Sequence, residues 1–486
     1  MDMATAAEEL GALTPVERLL VEYVERGELL DLAGEQPVNE AAMRGWDMSR
    51  TIRAWVVRDI MRGRLATDPD PHGLRLRGAR IAGRVDLEKI MSKIWLELSD
   101  CLLAEGLVAN DAHLAGLVLS GCRLEHPHEP ALHVARLTTA VLAVDSATVQ
   151  GHSNDGAINA YWAHFGLLDC TDATLRNDSG PALNASGLKV DQSVSLCGGF
   201  EATGAGEFAT VRLIAAHIGL LDCSDATLRN DSGPALNAGG LQVDQIVYLR
   251  GRFKATGAGD DVAVYLADAR VNGVLVFNPA QLEHLTDPQA RLNVDGLTYR
   301  QLPVGLSAGS WLKLLSEGTP DYAAQPYQQL AAAHRAAGHD SEARRILMEQ
   351  RRNQIRRGAI TERTERAWAR ITGLTLGYGY QPWRALIGLF AVVFIAVVLA
   401  VILGGHGGLM QTRTTSTSLG CTLVERISVG LDLGTPLITT GARARCDTTD
   451  TTTGQVLMAT GWTLRLSAWA FATLFIAGFT SAVRKT

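Results

Sequence analysis

Several groups of side chains in this 486-residue chain have types and spacings that chemistry uses. Asp169 and Asp172 recur as Asp222 and Asp225, and a carboxylate ladder of that kind carries out acid and base catalysis in carbohydrate-active β-helices. His126, His128, Glu129 and His133 crowd metal-capable atoms into HPHEPALH, although HxHE is not a zinc spacing. Glycine strings stand at 202–206 and 255–259 (ATGAG) and at 404–408 (GGHGG). None is a GxGxxG between a strand and a helix, the arrangement that seats a pyrophosphate on a helix N-terminus. SVGLDLG, 428–434, sits between two apolar segments as a channel filter would, but lacks the TVGYG string whose carbonyls replace an ion's hydration shell. Cys101, Cys122, Cys170, Cys197 and Cys223 include no CxxC, so a dithiol redox site has no support. The expected reading of these groups is turns and core, with no catalytic site, metal or cofactor.

The chain says more about surfaces. GLLDCTDATLRNDSGPALNASGLKVDQSVSLCGGFEATGAG, from Gly166, returns from Gly219 as GLLDCSDATLRNDSGPALNAGGLQVDQIVYLRGRFKATGAG, an offset of 53 residues between Cys170 and Cys223. A long period without helical spacing indicates a stacked repeat. Five of the differences alternate: Ser193/Ile246, Ser195/Tyr248, Cys197/Arg250, Gly199/Arg252 and Glu201/Lys254. Val194, Leu196, Gly198 and Phe200 between them are unchanged, so they should face the core and the variable positions solvent. Tyr248, Arg250, Arg252 and Lys254 then form an outward basic ridge, the expected binding site for an anionic partner, a cytosolic protein or the membrane surface.

The elements that position these residues are strands. GARIAGRVDL, DAHLAGLVLS, NASGLKVDQSVSL and DARVNGVLVF alternate with a period of two, separated by Gly, Asn, Asp and Ser at corners. LELSDCLL and LVLSGCRL are offset by 21 residues, so early coils are short and the later repeat spans two coils of 26 or 27. The expected fold is mainly β, a right-handed β-helix or solenoid of nine or ten coils over 71–302, roughly 45 Å long. Residues 1–70 should form a helical cap: TPVERLLVEYVERG has Thr14 as N-cap, Pro15 at the first position, Glu17 closing a capping box and Gly27 as the stop. A second helix is expected over 48–63, burying Ile52, Trp55, Val56, Ile60 and Met61. A helical hairpin around Gly338 and an Arg-rich helix over 350–370 should occupy 303–384.

The formal net charge of −6 makes the chain neither a polyanion nor a nucleic-acid binder, and no specific nucleic-acid contact is expected. Its amino terminus shows no secretory leader, so the solenoid should be cytosolic. Two apolar runs, 385–403 and 466–483, are expected to be transmembrane helices packed through Gly388, Ala391, Ala470 and Gly478. Arg351, Arg352, Arg356, Arg357, Arg363, Arg366, Arg370 and Arg384 precede the first, while Arg484 and Lys485 follow the second. Both termini should therefore be cytoplasmic in a multi-pass protein of the inner membrane. Residues 404–465 become an extracytoplasmic loop in which Cys421 and Cys446 can form a disulfide. An oligomer is compatible with this layout.

The solenoid, the hairpin PYQQLAAAHRAAGHDSEARRIL and the entry sequence GYGYQPWRAL together resemble a family of bacterial membrane-associated, pentapeptide-like β-solenoid proteins with two closing transmembrane helices. The resemblance covers nearly the whole chain and implies the activity in the family's frequent label, membrane-associated oxidoreductase. The residues themselves support a membrane-tethered binding or scaffold module, with the oxidoreductase and a two-helix channel as alternatives.

Overall fold

The structure is a computed structural model that describes residues 13–35, 38–358, 383–412, 420–435 and 440–485, with isolated positions between 372 and 381. Two compact units are present, Met1–Ile346 and Leu347–Thr486.

In the first unit, short parallel strands stack into sheets of 14, 10 and 9 strands. Each coil visits a first, a second and a third face in turn, as Leu74–Arg77, Arg80–Ala82 and Val85–Asp86 do near the start. Arg80 pairs with Leu102 and Leu102 with Arg123, so early coils take 22 and 21 residues. Thr174 pairs with Glu201 and Glu201 with Thr227, so later coils take 27 and 26.

Three alternations explain why the chain repeats over two coils. At the turn between the first and second faces, Asp172 and Asp225 have φ of 58° and 64°, and the intervening layers have Gly198 and Gly251 at 67° and 70°. The Asp172 carboxylate accepts the Gly199 N–H at 2.6 Å, and Asp225 accepts the Arg252 N–H at 2.7 Å. A Cβ on Gly198 or Gly251 would lie 2.6 Å from those carboxylates, so each Asp requires Gly in the next layer. Inside that turn Ala173, Phe200, Ala226 and Phe253 succeed one another up the core, all fully buried. A ring in alternate layers fills a volume that rings in every layer would overfill. Where the chain leaves the second face, buried Asn177 and Asn230 alternate with Gly204 and Gly257. Asn177 Nδ2 donates to the Ser153 and Pro181 carbonyls at 2.7 and 2.6 Å, and Asn230 Nδ2 to that of Phe208 at 2.7 Å. Such internal bonds satisfy amides that burial would otherwise penalise.

The ends are closed differently from expectation. Helix α1, Pro15–Arg26, has the Thr14–Glu17 capping box and a left-handed Gly27. The single helix over 48–63 does not form: Met48–Arg50 is a 3₁₀ turn, Thr51–Arg53 a strand paired with Arg80–Ala82, and only Ala54–Met61 is helical (α2). Leu30–Asp31 likewise pairs with Leu76–Arg77, so 1–70 is not purely helical but contributes strands to the first coil. Strands also run past 302, to Val304–Gly305. There α3, Ala308–Glu317, stacks Trp311 on Phe277 with centroids 4.9 Å apart. In α4, Gln325–Ala336, Gln325 Nε2 donates to the Leu297 carbonyl at 2.9 Å and Gln329 Nε2 to that of Tyr299 at 2.8 Å. These amides satisfy the edge of the final coil, which would otherwise invite another strand. Gly338, at φ 78°, turns the chain into α5, Asp340–Arg356. Arg363, Arg366 and Arg370 lie outside the described residues.

In the second unit α6, Trp383–Leu403, is the core of an apolar helical stretch, Trp383–Gly408, whose most apolar 18 residues have mean hydropathy 3.3. Among the described residues it is the one helix identified as long and apolar enough to cross a membrane. The apolar run 466–483 lies within α8, Thr452–Lys485, and Cys421 and Cys446 are joined as a disulfide with Cα atoms 6.2 Å apart. Residues 404–465 are not simply a loop: Leu423–Gly434 forms a helix, α7, packed on α6, and α8 begins at Thr452. Gly388 meets Phe471, whose ring would be 2.5 Å from a Cβ there. Ala391 and Ala470 are exposed, and Ala385, Ala396, Ala400 and Ala468 are buried in their place. The side chain at position 478 lies outside the described residues.

Candidate functional site

The carboxylate ladder is structural. Asp169 accepts the Thr171 N–H at 2.9 Å and hydroxyl at 2.6 Å, and Asp222 accepts the Ser224 N–H at 2.8 Å. With Asp172 and Asp225 bonded to the next coil, the four hold corners. Cys122, Cys170 and Cys223 are buried, and burial pushes their thiols up, as it does for half-buried Cys197. At neutral pH they pack as small apolar groups.

HPHEPALH forms a turn. His126 Nδ1 accepts the His128 and Glu129 N–H groups at 3.2 and 2.8 Å, and Glu129 is ion-paired with Arg84. His126 occupies the corner position that is Asn177 and Asn230 two and four coils later. His133 stands on the third face in a column containing Asn159, Asn184, Asn237 and Asn293. Those asparagines accept N–H groups two residues on, bending the chain toward the first face. Burial first, then the Arg84 charge, holds both histidines below the ordinary range, with the His128 charge adding to the effect at His126. A depressed histidine is neutral in the fold and takes up a proton more readily when unfolded. Stability is therefore full above the unfolded pKa and falls as pH drops through it toward the folded one. Thermal melts should show Tm falling between about pH 7.5 and 5.5. The double variant His126→Asn/His133→Asn, which copies residues the protein itself uses at these positions, should show a smaller fall. An identical fall in both proteins would remove these rings as its cause.

The basic ridge is divided. Tyr248 belongs to Ile246–Leu249 on the first face and Lys254 to Lys254–Gly257 on the second, with Arg250 and Arg252 at or beside the turn between them. Arg250 lies over the Tyr248 ring, 4.4 Å from its centroid, and its Nε donates to Ser224 Oγ at 3.2 Å. Arg252 is 3.5 Å from the Asp225 carboxylate. The alternation in the sequence separates inside from outside, but the change of face between Tyr248 and Lys254 is invisible in it. The four residues arch over a corner and do not form one row.

Register assembles a broader surface on the first face. One outward column runs His113, Thr138, His164, Lys189, His217, Gln242 and Arg270. His164 Nε2 and Lys189 Nζ approach Asp191 at 3.0 and 3.4 Å; two coils later His217 Nε2 and Asn272 Nδ2 approach Asp244 at 3.0 and 3.3 Å. Lys189 is 55% exposed and His217 49%, so these groups remain available to a partner. The carboxyl of Asp191 is held low by the His164 hydrogen bond. Beside this column, half-buried Val141, Leu167, Leu220, Ile246 and Val274 make an apolar strip on the same sheet, interrupted by Ser193 in the layer between Leu167 and Leu220. Its members lie one or two coils apart, so only the dyad alternation, counted across turns of unequal length, could have found them.

A cleft of about 160 Å³ between the last coil and the cap helices is lined by Asn293, Asp295, Tyr322 and Pro326, and a wide-open hollow of about 440 Å³ surrounds Trp95 and Arg75. The first is smaller than the roughly 300 Å³ of ordinary small-molecule sites. Among the described residues the group of three metal-capable side chains that lie together is Cys421, Glu425 and Cys446, and its two cysteines are disulfide-bonded. In comparisons with known proteins, no family model, curated protein or solved structure matches this chain.

Proposed function

We propose that this chain is a membrane-anchored scaffold whose solenoid binds an acidic, partly apolar protein segment along its first face. The observation that carries this reading is the exposed polar column from His113 to Arg270, which includes Lys189 and Arg270, lying beside the largely apolar strip from Val141 to Val274. Charges at a rim steer and align a partner, while the apolar strip supplies area that loses water on contact. In this reading α6 and the apolar part of α8 both cross the inner membrane. The arginines before α6 and the Arg484–Lys485 pair then keep both termini cytoplasmic, with the Cys421–Cys446 disulfide on the oxidising side.

The test uses full-length protein cross-linked in intact cells, comparing Lys189→Glu/Arg270→Glu with Arg250→Glu/Arg252→Glu/Lys254→Glu. The first-face pair should lower recovery of an acidic protein at least about fivefold, and the corner triple less than about twofold. Equal recovery in both variants and the unaltered chain discards the face. Loss with the triple alone returns the site to the Tyr248 corner, and retention of anionic lipid but no protein reassigns the charge to the membrane surface. A flavin or nicotinamide absorbance band in the purified chain would replace this reading with the membrane-associated oxidoreductase.

A further inference from the structure

Helix α7 runs back down α6. Arg426 lies beside Gly404 and Gly405, Gly430 lies against Ala396 and Val397, and Gly434 lies against Val393, the middle residue of α6. At 1.5 Å per residue the descent from 404 to 393 is about 16 Å, half of a ~30 Å hydrocarbon core. The approach depends on Gly430 and Gly434. A Cβ on the first would lie 2.5 Å from the Val397 Cα, and one on the second 2.9 Å from the Ala396 Cβ. If α6 spans the membrane, as in the function proposed above, α7 is a half-helix that enters from one side and stops at mid-depth.

A helix end at that depth has consequences. The last carbonyls of a helix lack intrahelical donors, and backbone that stops being helical inside a bilayer is tolerated only when buried in protein or lining water. The last turn of α7 also carries Asp432, 5% exposed, whose carboxylate accepts the Thr440 N–H. Ionisable groups within a span face a bundle interior or an aqueous path. Helix α8 supplies a third, independent feature. It packs inward through Leu457 and Ala468 and exposes Trp462, Leu466, Trp469 and Ile476 on its large apolar side. Thr473 and Thr480 lie on that same side, whereas Thr463 and Ser467 lie to one side of it, each hydroxyl bonded to a carbonyl about one turn back. Lipid accounts for the apolar side and does not require the hydroxyls.

We infer that several copies of the second unit assemble about an axis, so that the α7 ends of all copies, each with its buried Asp432 carboxylate behind it, converge on an aqueous path for cations. The Thr463 and Ser467 hydroxyls of α8 line the path further along. The C-terminal end of a helix carries partial negative charge, and the carboxylate adds to it, so the path favours cations and rejects anions. One copy supplies only one wall, which makes the site incomplete without its neighbours.

The experiment reconstitutes the full chain into potassium-loaded liposomes, with a protonophore present to balance charge and flotation used to establish insertion. Potassium efflux should exceed that of protein-free liposomes at least about tenfold, chloride should be retained, and Asp432→Asn should lower efflux about tenfold or more. Ser467→Trp, on an outward position that leaves Asp432 untouched, should also block efflux while the protein still floats. Oxidation of a Thr463→Cys variant should link copies covalently. Inserted protein that leaks no more than empty liposomes, chloride that moves as fast as potassium, or efflux unchanged in both variants would overturn the inference. Protein that fails to float would instead overturn the membrane reading on which it rests.

Discussion

Alanine in place of Phe253 should lower the stability of the solenoid by about 3–5 kcal/mol, the range for emptying a packed aromatic site. The ring is fully buried, with Ala226 in the layer beneath and the Ala226 carbonyl accepting the Lys254 N–H at 2.8 Å. Because the sheets bond neighbouring layers rigidly, the coil cannot collapse into the void. Phe200→Ala should behave alike, since it occupies the same place two layers earlier. Ala226→Phe puts rings in three successive layers and should cost about 1–3 kcal/mol by overpacking. Urea melts followed by far-UV circular dichroism would measure all three. A fully stable Ala226→Phe protein would show that alternation of volume is not what sets the two-coil period.

The second large effect is expected at the other end of the solenoid. Glu17 has no exposed side-chain surface, and burial alone would raise its pKa. The Arg53 side chain, the Thr14 and Arg53 N–H groups and the Arg53 charge together outweigh that and bring it to about 2. The bonds are Arg53 Nε to Oε1 at 2.8 Å, Nη2 to Oε2 at 2.5 Å, and backbone N–H groups from Arg53 at 3.0 Å and Thr14 at 2.9 Å. One carboxylate thus ties α1 to the strand that opens the second face. Arg53→Ala leaves a buried charge with half its donors and should cost about 3 kcal/mol, the low end of the range for a broken buried pair because Arg53 itself is 36% exposed. A depressed carboxylate stabilises above its unfolded pKa and loses that contribution as pH falls through the folded value. The difference between Arg53→Ala and the unaltered chain should therefore shrink below about pH 4 and be mostly gone by about pH 2. A difference that persists at pH 2 would place the effect in lost packing against Trp55, whose ring lies 5.0 Å from the Arg53 guanidinium.

What could be read in advance followed from local rules. The capping box of α1 and the left-handed Gly27 depend on residues within a turn of one another, and both are found where their spacing puts them. Strand alternation is equally local, so Val194, Leu196 and Phe200 are buried while Glu201 and Lys254 are exposed. The same rules misjudged Ile52. Its spacing from Trp55 and Val56 suits a helix, but its backbone completes a sheet whose next strand lies at Arg80–Ala82. Pairing over such a distance outweighs local preference.

By itself the sequence determined that the chain is a stacked, mainly parallel β repeat with a long apolar helix near its end, because periodicity of two, glycine corners and a run of apolar residues act through neighbours along the chain. It also displayed the 53-residue period, but not its cause. Only the tertiary structure decided that Asp faces Gly, Phe faces Ala and Asn faces Gly across adjacent layers, that the basic ridge bends around a corner, and that α7 descends beside α6. Each of these depends on which residues, one coil or one helix away, share a layer or a depth, and that is set by register and close packing between segments that the chain order does not place side by side.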